Sequence, residues 1–169
     1  MIKGRLFRLA RRNEIIVGTA KVAIITGASS GIGKTLALQY AAKKANLALI
    51  ARRQDALEKI AEECRALGGI ANIKVHFYLS DLSKNNEIEA AVTNAAADFG
   101  RLDVVILNAG RSQGHYFEEI KDVEQIDYML KLNTGGVINS CHYLLPYICK
   151  SSQSRIVVIS SVAGIVGVP

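Results

Sequence analysis

Apolar residues in this chain fall into short unbroken runs separated by stretches of helical period. Residues 22–25 (VAII) are apolar without a gap, which predicts a strand buried on both faces. Thr26, Gly27 and Ala28 turn the chain, and Gly31-Ile32-Gly33 opens a run of helix formers over 34–42. Residues 47–51 (LALIA) predict a second strand that ends at Arg52-Arg53. Over 54–67, Leu57, Ile60, Ala61, Cys64 and Leu67 recur with helical period, and Gly68-Gly69 supplies the stop. A third strand is predicted over 73–79. Ser83 is placed to cap a helix over 84–99 whose packed face carries Ile88, Ala91, Val92, Ala95 and Ala96. Residues 103–107 (DVVIL) predict a fourth strand. A polar loop over 111–119 leads to a long helical stretch over 123–150, and 155–160 (RIVVIS) predict a fifth strand. Asn133-Thr134-Gly135-Gly136 sits in the middle of that long stretch. Each glycine costs about 1 kcal/mol there relative to alanine, so a bend or a close approach is expected.

Strand and helix thus alternate five times with short joins, and the strands are continuously apolar. A sheet of such strands is covered on both faces, which makes the fold α/β with a doubly wound parallel sheet. With no strand predicted after the fifth, a sheet edge and apolar helix faces stay open, an expected aggregation hazard. Ligands in this architecture lie at the carboxyl ends of the strands, near the switch in winding direction. The strand-end residues are therefore the ones to question.

Length and charge refine this picture. The chain has 169 residues, enough for one domain with a sizeable core, and it divides into a basic extension over 1–20 and a domain over 21–169. The net charge of +6 is nearly all in the extension, because Lys3, Arg5, Arg8, Arg11 and Arg12 precede the first acid, Glu14. The body is close to neutral, so no nucleic-acid face is expected. The extension reads as a targeting peptide, a membrane-surface tether or a solvated tail. Cys64, Cys141 and Cys149 are odd in number and lack C-x-x-C spacing. This argues for buried small hydrophobes in a reducing compartment, cytoplasmic or membrane-associated and intracellular. His76, His115 and His142 make no metal pattern, and no metal is expected.

The stretch KVAIITGASSGIGKT, residues 21–35, carries the chemistry. A strand feeding a glycine-rich turn into a helix suits phosphate, since the first helical N–H groups lack internal partners and the helix dipole is positive there. Gly27-x-x-x-Gly31-x-Gly33 is a dinucleotide-type loop, a variant of G-x-G-x-x-G. ASSGIGKT over 28–35 also reads as a relaxed triphosphate loop, with Lys34 on the β/γ-phosphates and Thr35 on magnesium. That alternative needs an acid at another strand's end, where this chain has Asn108 and Ser160-Ser161, so the dinucleotide reading is favoured. At the end of the second strand, NAD(H) would require a carboxylate for the ribose 2′-OH. Here Ala51 is followed by Arg52 and Arg53, whose guanidinium groups suit the 2′-phosphate of NADP(H). Asp81 is a candidate acceptor for the adenine amino group, and Asn108, Ala109 and Gly110 suit close passage of a ribose.

Together, TGASSGIG at 26–33, DLS at 81–83, NAG at 108–110, the mid-helix Asn133 and VVISSVAG at 157–164 resemble the short-chain dehydrogenases/reductases. The resemblance covers 21–169. Arg52-Arg53, Ser112-Gln113 and LLPYI at 144–148 are most similar to the 11β-hydroxysteroid dehydrogenase and dehydrogenase/reductase member 7 branch. It implies a Rossmann-type fold and an NADP(H)-dependent interconversion of an alcohol and a carbonyl, with a small lipophilic substrate. Gly27, Ser29, Ser30, Gly31, Ile32, Gly33, Arg52, Arg53, Asp81, Leu82, Asn108, Ala109 and Gly110 would contact the cofactor. Asn133 would bend its helix and hold a relay water, and Ser161, rather than its neighbour Ser160, would hydrogen-bond the substrate carbonyl. The family's tyrosine acid/base and the lysine four residues after it fall beyond Pro169. Tyr116, Tyr128, Tyr143 and Tyr147 precede Ser161, and none begins Y-x-x-x-K. The sheet is therefore expected to be incomplete at its C-terminal side. The chain as written reads alternatively as an inactive dinucleotide-binding fragment, with a homodimer an expectation for the complete protein.

Overall fold

The structure is a computed structural model that describes residues 22–112, 116–150 and 153–166. The basic extension over 1–20, Gln113 and His115 lie outside the described residues. The chain runs β1 (Val22–Thr26), α1 (Gly31–Ala42), β2 (Asn46–Ala51), α2 (Gln54–Gly68), β3 (Val75–Leu79), α3 (Asn85–Phe99) and β4 (Val104–Leu107). It continues through α4 (Val123–Leu130), a π-helical turn (Lys131–Gly135), α5 (Gly136–Ile148) and β5 (Arg155–Val158).

The strands form one sheet in the order β3-β2-β1-β4-β5, every pair parallel. Ile25 in the middle of β1 is in register with Leu49 on one side and Ile106 on the other. Alternate residues of these strands feed two cores. Ala23, Ile25, Leu47 and Leu49 pack against Ala37, Tyr40 and Ala41 of α1 and Leu57, Ile60 and Cys64 of α2. Val22, Ile24, Ala48 and Ile50 pack on the other face against Ile88, Val92 and Ala95 of α3 and Leu144 and Ile148 of α5. Burial on both faces is why the strands carry no polar alternation. The chain fills β1, β2 and β3 outward, then crosses back to place β4 beside β1. The crevice between the loops after β1 and β4 is the switch point at which such sheets bind ligands.

The expected long helical stretch over 123–150 is present as an unbroken run from Val123 to Ile148 whose pitch changes in the middle. One extra residue per turn across Lys131–Gly135 separates α4 from α5, and Gly136 then passes so close to α3's lead-in that a Cβ would stand 2.6 Å from the Leu82 carbonyl oxygen. Of the bend or close approach expected from the paired glycines, the close approach is present at Gly136. The expected Ser83 cap is not: Lys84 precedes α3 without a side-chain cap bond, because the Ser83 hydroxyl donates instead to Asp81 Oδ1 at 2.8 Å. The third strand begins at Val75 rather than 73, since Asn72 adopts a left-handed conformation (φ 45°) just before it.

Of the three thiols only Cys64 is buried. Cys141 is half-buried and Cys149, one residue past α5, is exposed. Burial first, with the neighbouring Glu63 charge adding to it, pushes the Cys64 thiol up to about 11. On its outer side β5 has no neighbouring strand among the described residues, and Val158 and Ile165 are exposed.

Candidate functional site

Loops at the carboxyl ends of β1, β2, β3 and β4 enclose an open cavity of about 320 Å³. Gly27, Ser29, Ser30 and Ile32 line it from the first loop, and Ala51, Arg52 and Arg53 from the end of β2. Ser80 and Leu82 follow β3, Asn108, Ala109 and Gly110 follow β4, and Leu132 reaches in from the π-helical turn. Ten of the residues proposed from sequence are thus brought to one wall. Gly31, Gly33, Asp81, Asn133 and Ser161 are not part of that lining. Ala51, Ser80 and Leu132 belong to it and carry no chemistry a sequence reading would select.

The cavity's shape is set by how closely the first and fourth loops approach. Buried Thr26 is the tie. Its Oγ1 accepts from the N–H of Asn108 at 2.9 Å and of Ala109 at 3.0 Å, and donates to the Ile106 carbonyl at 3.4 Å. Asn108 returns the contact, its Nδ2 donating to the Thr26 carbonyl at 3.1 Å. The Asn108 amide therefore braces the first loop, and what it presents to the cavity is a wall. Gly27 has φ +65° and no room for a side chain, since a Cβ would lie 2.9 Å from Ala109 Cα. At Gly33 a Cβ would collide with the Gly27 carbonyl oxygen. Two glycines let helix and loop stack without a gap, which is the packing role of the glycine pattern.

At the start of α1, Ser30 is extended and makes no side-chain cap bond, and no acid lies in the first turn. The positive end of the helix faces the cavity without internal neutralisation, which is what an anion requires. Two cations flank it. Arg53 Nη2 donates to the Ser29 carbonyl at 3.3 Å and to Ser29 Oγ at 3.2 Å, so it stands over the loop itself. Arg52 turns toward α4, where its Nη1 donates to Tyr128 Oη at 2.6 Å. Tyr128 in turn donates to Asp81 Oδ1 at 3.2 Å. Burial alone would raise the Asp81 carboxyl, but hydrogen bonds from the Ser83 N–H, the Ser83 hydroxyl and Tyr128, with the Arg52 charge, hold it below its ordinary value. The uncapped helix start, the loop where only glycine fits at residue 27 and the two flanking guanidinium groups fit a dinucleotide pyrophosphate.

The triphosphate alternative does not survive the side-chain directions. Lys34 Nζ leaves the loop for Glu63 on α2, at 2.9 Å. The Thr35 hydroxyl turns back to the Gly31 carbonyl at 3.1 Å.

Asn133 sits in the π-helical turn, exposed, bonded to the backbone of Arg111 just past Gly110. Ser161 is also exposed and caps the short turn Val162–Gly164, its Oγ accepting from the Ala163 N–H at 3.2 Å. Tyr128 is the residue that sequence reasoning missed: nothing in α4's pattern separates it from an ordinary half-buried tyrosine.

A parallel doubly wound sheet with an uncapped, glycine-rich helix start at its switch point defines a Rossmann-type nucleotide-binding protein. The family model described as short chain dehydrogenase matches residues 21–169, and the chain belongs to that family of oxidoreductases, which bind a nicotinamide dinucleotide and act on small molecules. It is 42% identical over 143 residues to 11-beta-hydroxysteroid dehydrogenase 1A of Arabidopsis thaliana, covering 85% of this chain and 40% of that one. It is 36% identical over 165 residues to 11-beta-hydroxysteroid dehydrogenase-like 4A of the same plant, covering 98% and 53%. Among solved structures, the alcohol dehydrogenase from the archaeon Thermococcus sibiricus complexed with 5-hydroxy-NADP superposes with a TM-score of 0.81 at 32% identity, covering 89% of this chain and 62% of that one. The chain spans about half the length of the curated relatives it matches.

Proposed function

We propose that this chain is the cofactor-binding part of an NADP(H)-dependent oxidoreductase that interconverts an alcohol and a carbonyl on a lipophilic small molecule. The observation that carries the cofactor preference is the pair Arg52 and Arg53 at the end of β2, both lining the cavity, with no carboxylate at Ala51. A guanidinium fork favours a dianionic 2′-phosphate over a ribose hydroxyl. The names of the plant relatives, 11-beta-hydroxysteroid dehydrogenases, support a lipophilic substrate. When bound, the nicotinamide would supply the hydride. This chain's residues would hold its phosphates at the start of α1, fix its adenosine end through Arg52, Arg53 and Leu82, and pass its ribose along Asn108, Ala109 and Gly110. Asn133 is proposed to hold a proton-relay water and Ser161 to hydrogen-bond the substrate oxygen.

The experiment is a fluorescence titration of the chain with NADPH and NADH. NADPH is expected to bind more tightly, and Arg52→Asp to move the preference toward NADH. An unchanged preference overturns the assignment to the 2′-phosphate. A second reading, a dinucleotide-binding chain without chemistry of its own, is favoured by the lack of a Tyr-x-x-x-Lys after Ser161 in these 169 residues, the one at Tyr40 and Lys44 lying at the end of α1 with Tyr40 buried in the core. It predicts no NADPH oxidation with a panel of carbonyl compounds, and measurable turnover by this chain would overturn it.

A further inference from the structure

Arg52 and Asp81 stand on adjacent strand ends with opposite charges, yet they form no direct ion pair: Arg52–Asp81 is not among the pairs within 4.0 Å in the described residues. Tyr128 stands between them. Its hydroxyl accepts from Arg52 Nη1 at 2.6 Å and places its own proton toward the carboxylate, 3.2 Å from Oδ1 and 3.4 Å from Oδ2. The guanidinium carbon lies 5.9 Å from the centre of the Tyr128 ring, which limits how far the side chain can swing back across α4. A tyrosine hydroxyl has one proton and an acceptor side, so this order of bonds uses both without leaving a donor facing a donor. Asp81 is further occupied by the Ser83 N–H at 3.0 Å and the Ser83 hydroxyl at 2.8 Å, which fixes the anchor at the far end.

Resting on the NADP(H) reading, we infer that Tyr128 is a positioning residue for the 2′-phosphate, acting as a neutral spacer that keeps the Arg52 guanidinium at the cavity mouth and out of a pair with Asp81. Of the five N–H donors on a guanidinium the tyrosine takes one, which leaves a two-pronged face for a phosphate. Without the hydroxyl between them, Arg52 would turn to the Asp81 carboxylate that Tyr128 now bonds. A guanidinium paired there presents less charge and fewer donors to a ligand. Selectivity between phosphorylated and unphosphorylated ribose would then fall, although no residue touching the phosphate had changed.

The test uses the full 169-residue chain. Dissociation constants for 2′,5′-ADP and 5′-AMP are measured by calorimetry on the wild type, Tyr128→Phe, Arg52→Ala and the double variant. Tyr128→Phe keeps the ring and removes only the hydroxyl. The ratio of the two constants is expected to fall about tenfold in Tyr128→Phe, the scale of one charge-assisted hydrogen bond. It is expected not to fall further when the same change is made on Arg52→Ala. A ratio unchanged by Tyr128→Phe, or reduced equally in both backgrounds, overturns the inference while leaving the cofactor reading intact. A wild type that binds both nucleotides equally overturns the cofactor reading and the inference with it.

Discussion

Asn133 and the backbone of Arg111 are joined in both directions: Asn133 Nδ2 donates to the Arg111 carbonyl at 2.7 Å, and the Arg111 N–H donates to Asn133 Oδ1 at 2.9 Å. The pair fastens the π-helical turn to the segment leaving β4, beside Gly110, where a Cβ would stand 3.4 Å from the same Oδ1. A side chain that bonds a distant backbone fixes where two loops meet, which a helix-internal bond cannot do. Asn133→Ala should cost about 1–2 kcal/mol in urea unfolding, because two hydrogen bonds at an exposed site are lost. It should also speed amide exchange at Arg111. Asn133→Asp keeps only the acceptor and should fall between the two. Unaltered exchange at Arg111 in the alanine variant would refute the tie.

Neighbouring glycines in that turn should respond with opposite sign. At Gly135 an added Cβ meets only the Leu130 carbonyl, at 3.9 Å, in a helical conformation. Gly135→Ala should therefore be neutral or stabilise by up to about 1 kcal/mol. At Gly136 the Cβ would lie 2.6 Å from the Leu82 carbonyl oxygen, a backbone atom that cannot rotate away. Gly136→Ala should cost roughly 1–3 kcal/mol, the scale of overpacking. Denaturant midpoints of the two variants decide the matter, and equal shifts would contradict the packing described.

Thr26 should tolerate serine and not valine. Valine matches its shape but leaves the N–H groups of Asn108 and Ala109 without the oxygen they share. Each unsatisfied donor costs about 1–3 kcal/mol, so Thr26→Val should lose roughly 2–4 kcal/mol. Thr26→Ser keeps the oxygen and loses one methyl, so it should stay within about 1 kcal/mol of wild type. Urea unfolding measures both, and a valine variant as stable as the serine one would dissolve the proposed role of the hydroxyl.

Asp81 provides a pH test. Its folded carboxyl lies below the ordinary value of 3.8. Its contribution to stability is therefore fully present above pH 3.8 and is lost as pH falls through the lower folded value. Ser83→Ala removes the hydroxyl donor and keeps the N–H, so the Asp81 carboxyl should rise toward its ordinary value and the acid limb of stability should flatten. Carbon-13 titration of the carboxyl reads this directly, and an unmoved Asp81 in the Ser83 variant would show that the hydroxyl bond has no effect.

Much of this architecture was legible in the linear chain because it depends on local periods. Unbroken apolar runs such as those at 22–25 and 47–51 mark strands buried twice over, and the residues at their ends follow at once. That is why Gly27, Arg52 and Asn108 could be named before any coordinates and then found on one cavity wall. Helix ends were harder. Ser83 has the residue type of a cap, but Asp81 two positions earlier competes for its hydroxyl and wins.

By itself, then, the order of residues determined the α/β class, the five strands, the glycine-rich loop before α1 and the basic end of β2, since each rests on neighbours within a few positions. Only the tertiary structure decided what Arg52 holds, because Tyr128 lies 76 positions away and reaches it solely through the crossing of α4 over the ends of β2 and β3. It likewise decided that the Asn108 amide braces Thr26 and that Lys34 turns away to Glu63. A side chain's chemistry is written in its type. Its partner is chosen by whichever donor or acceptor the fold brings within about 3 Å, and that distance has no trace in sequence spacing.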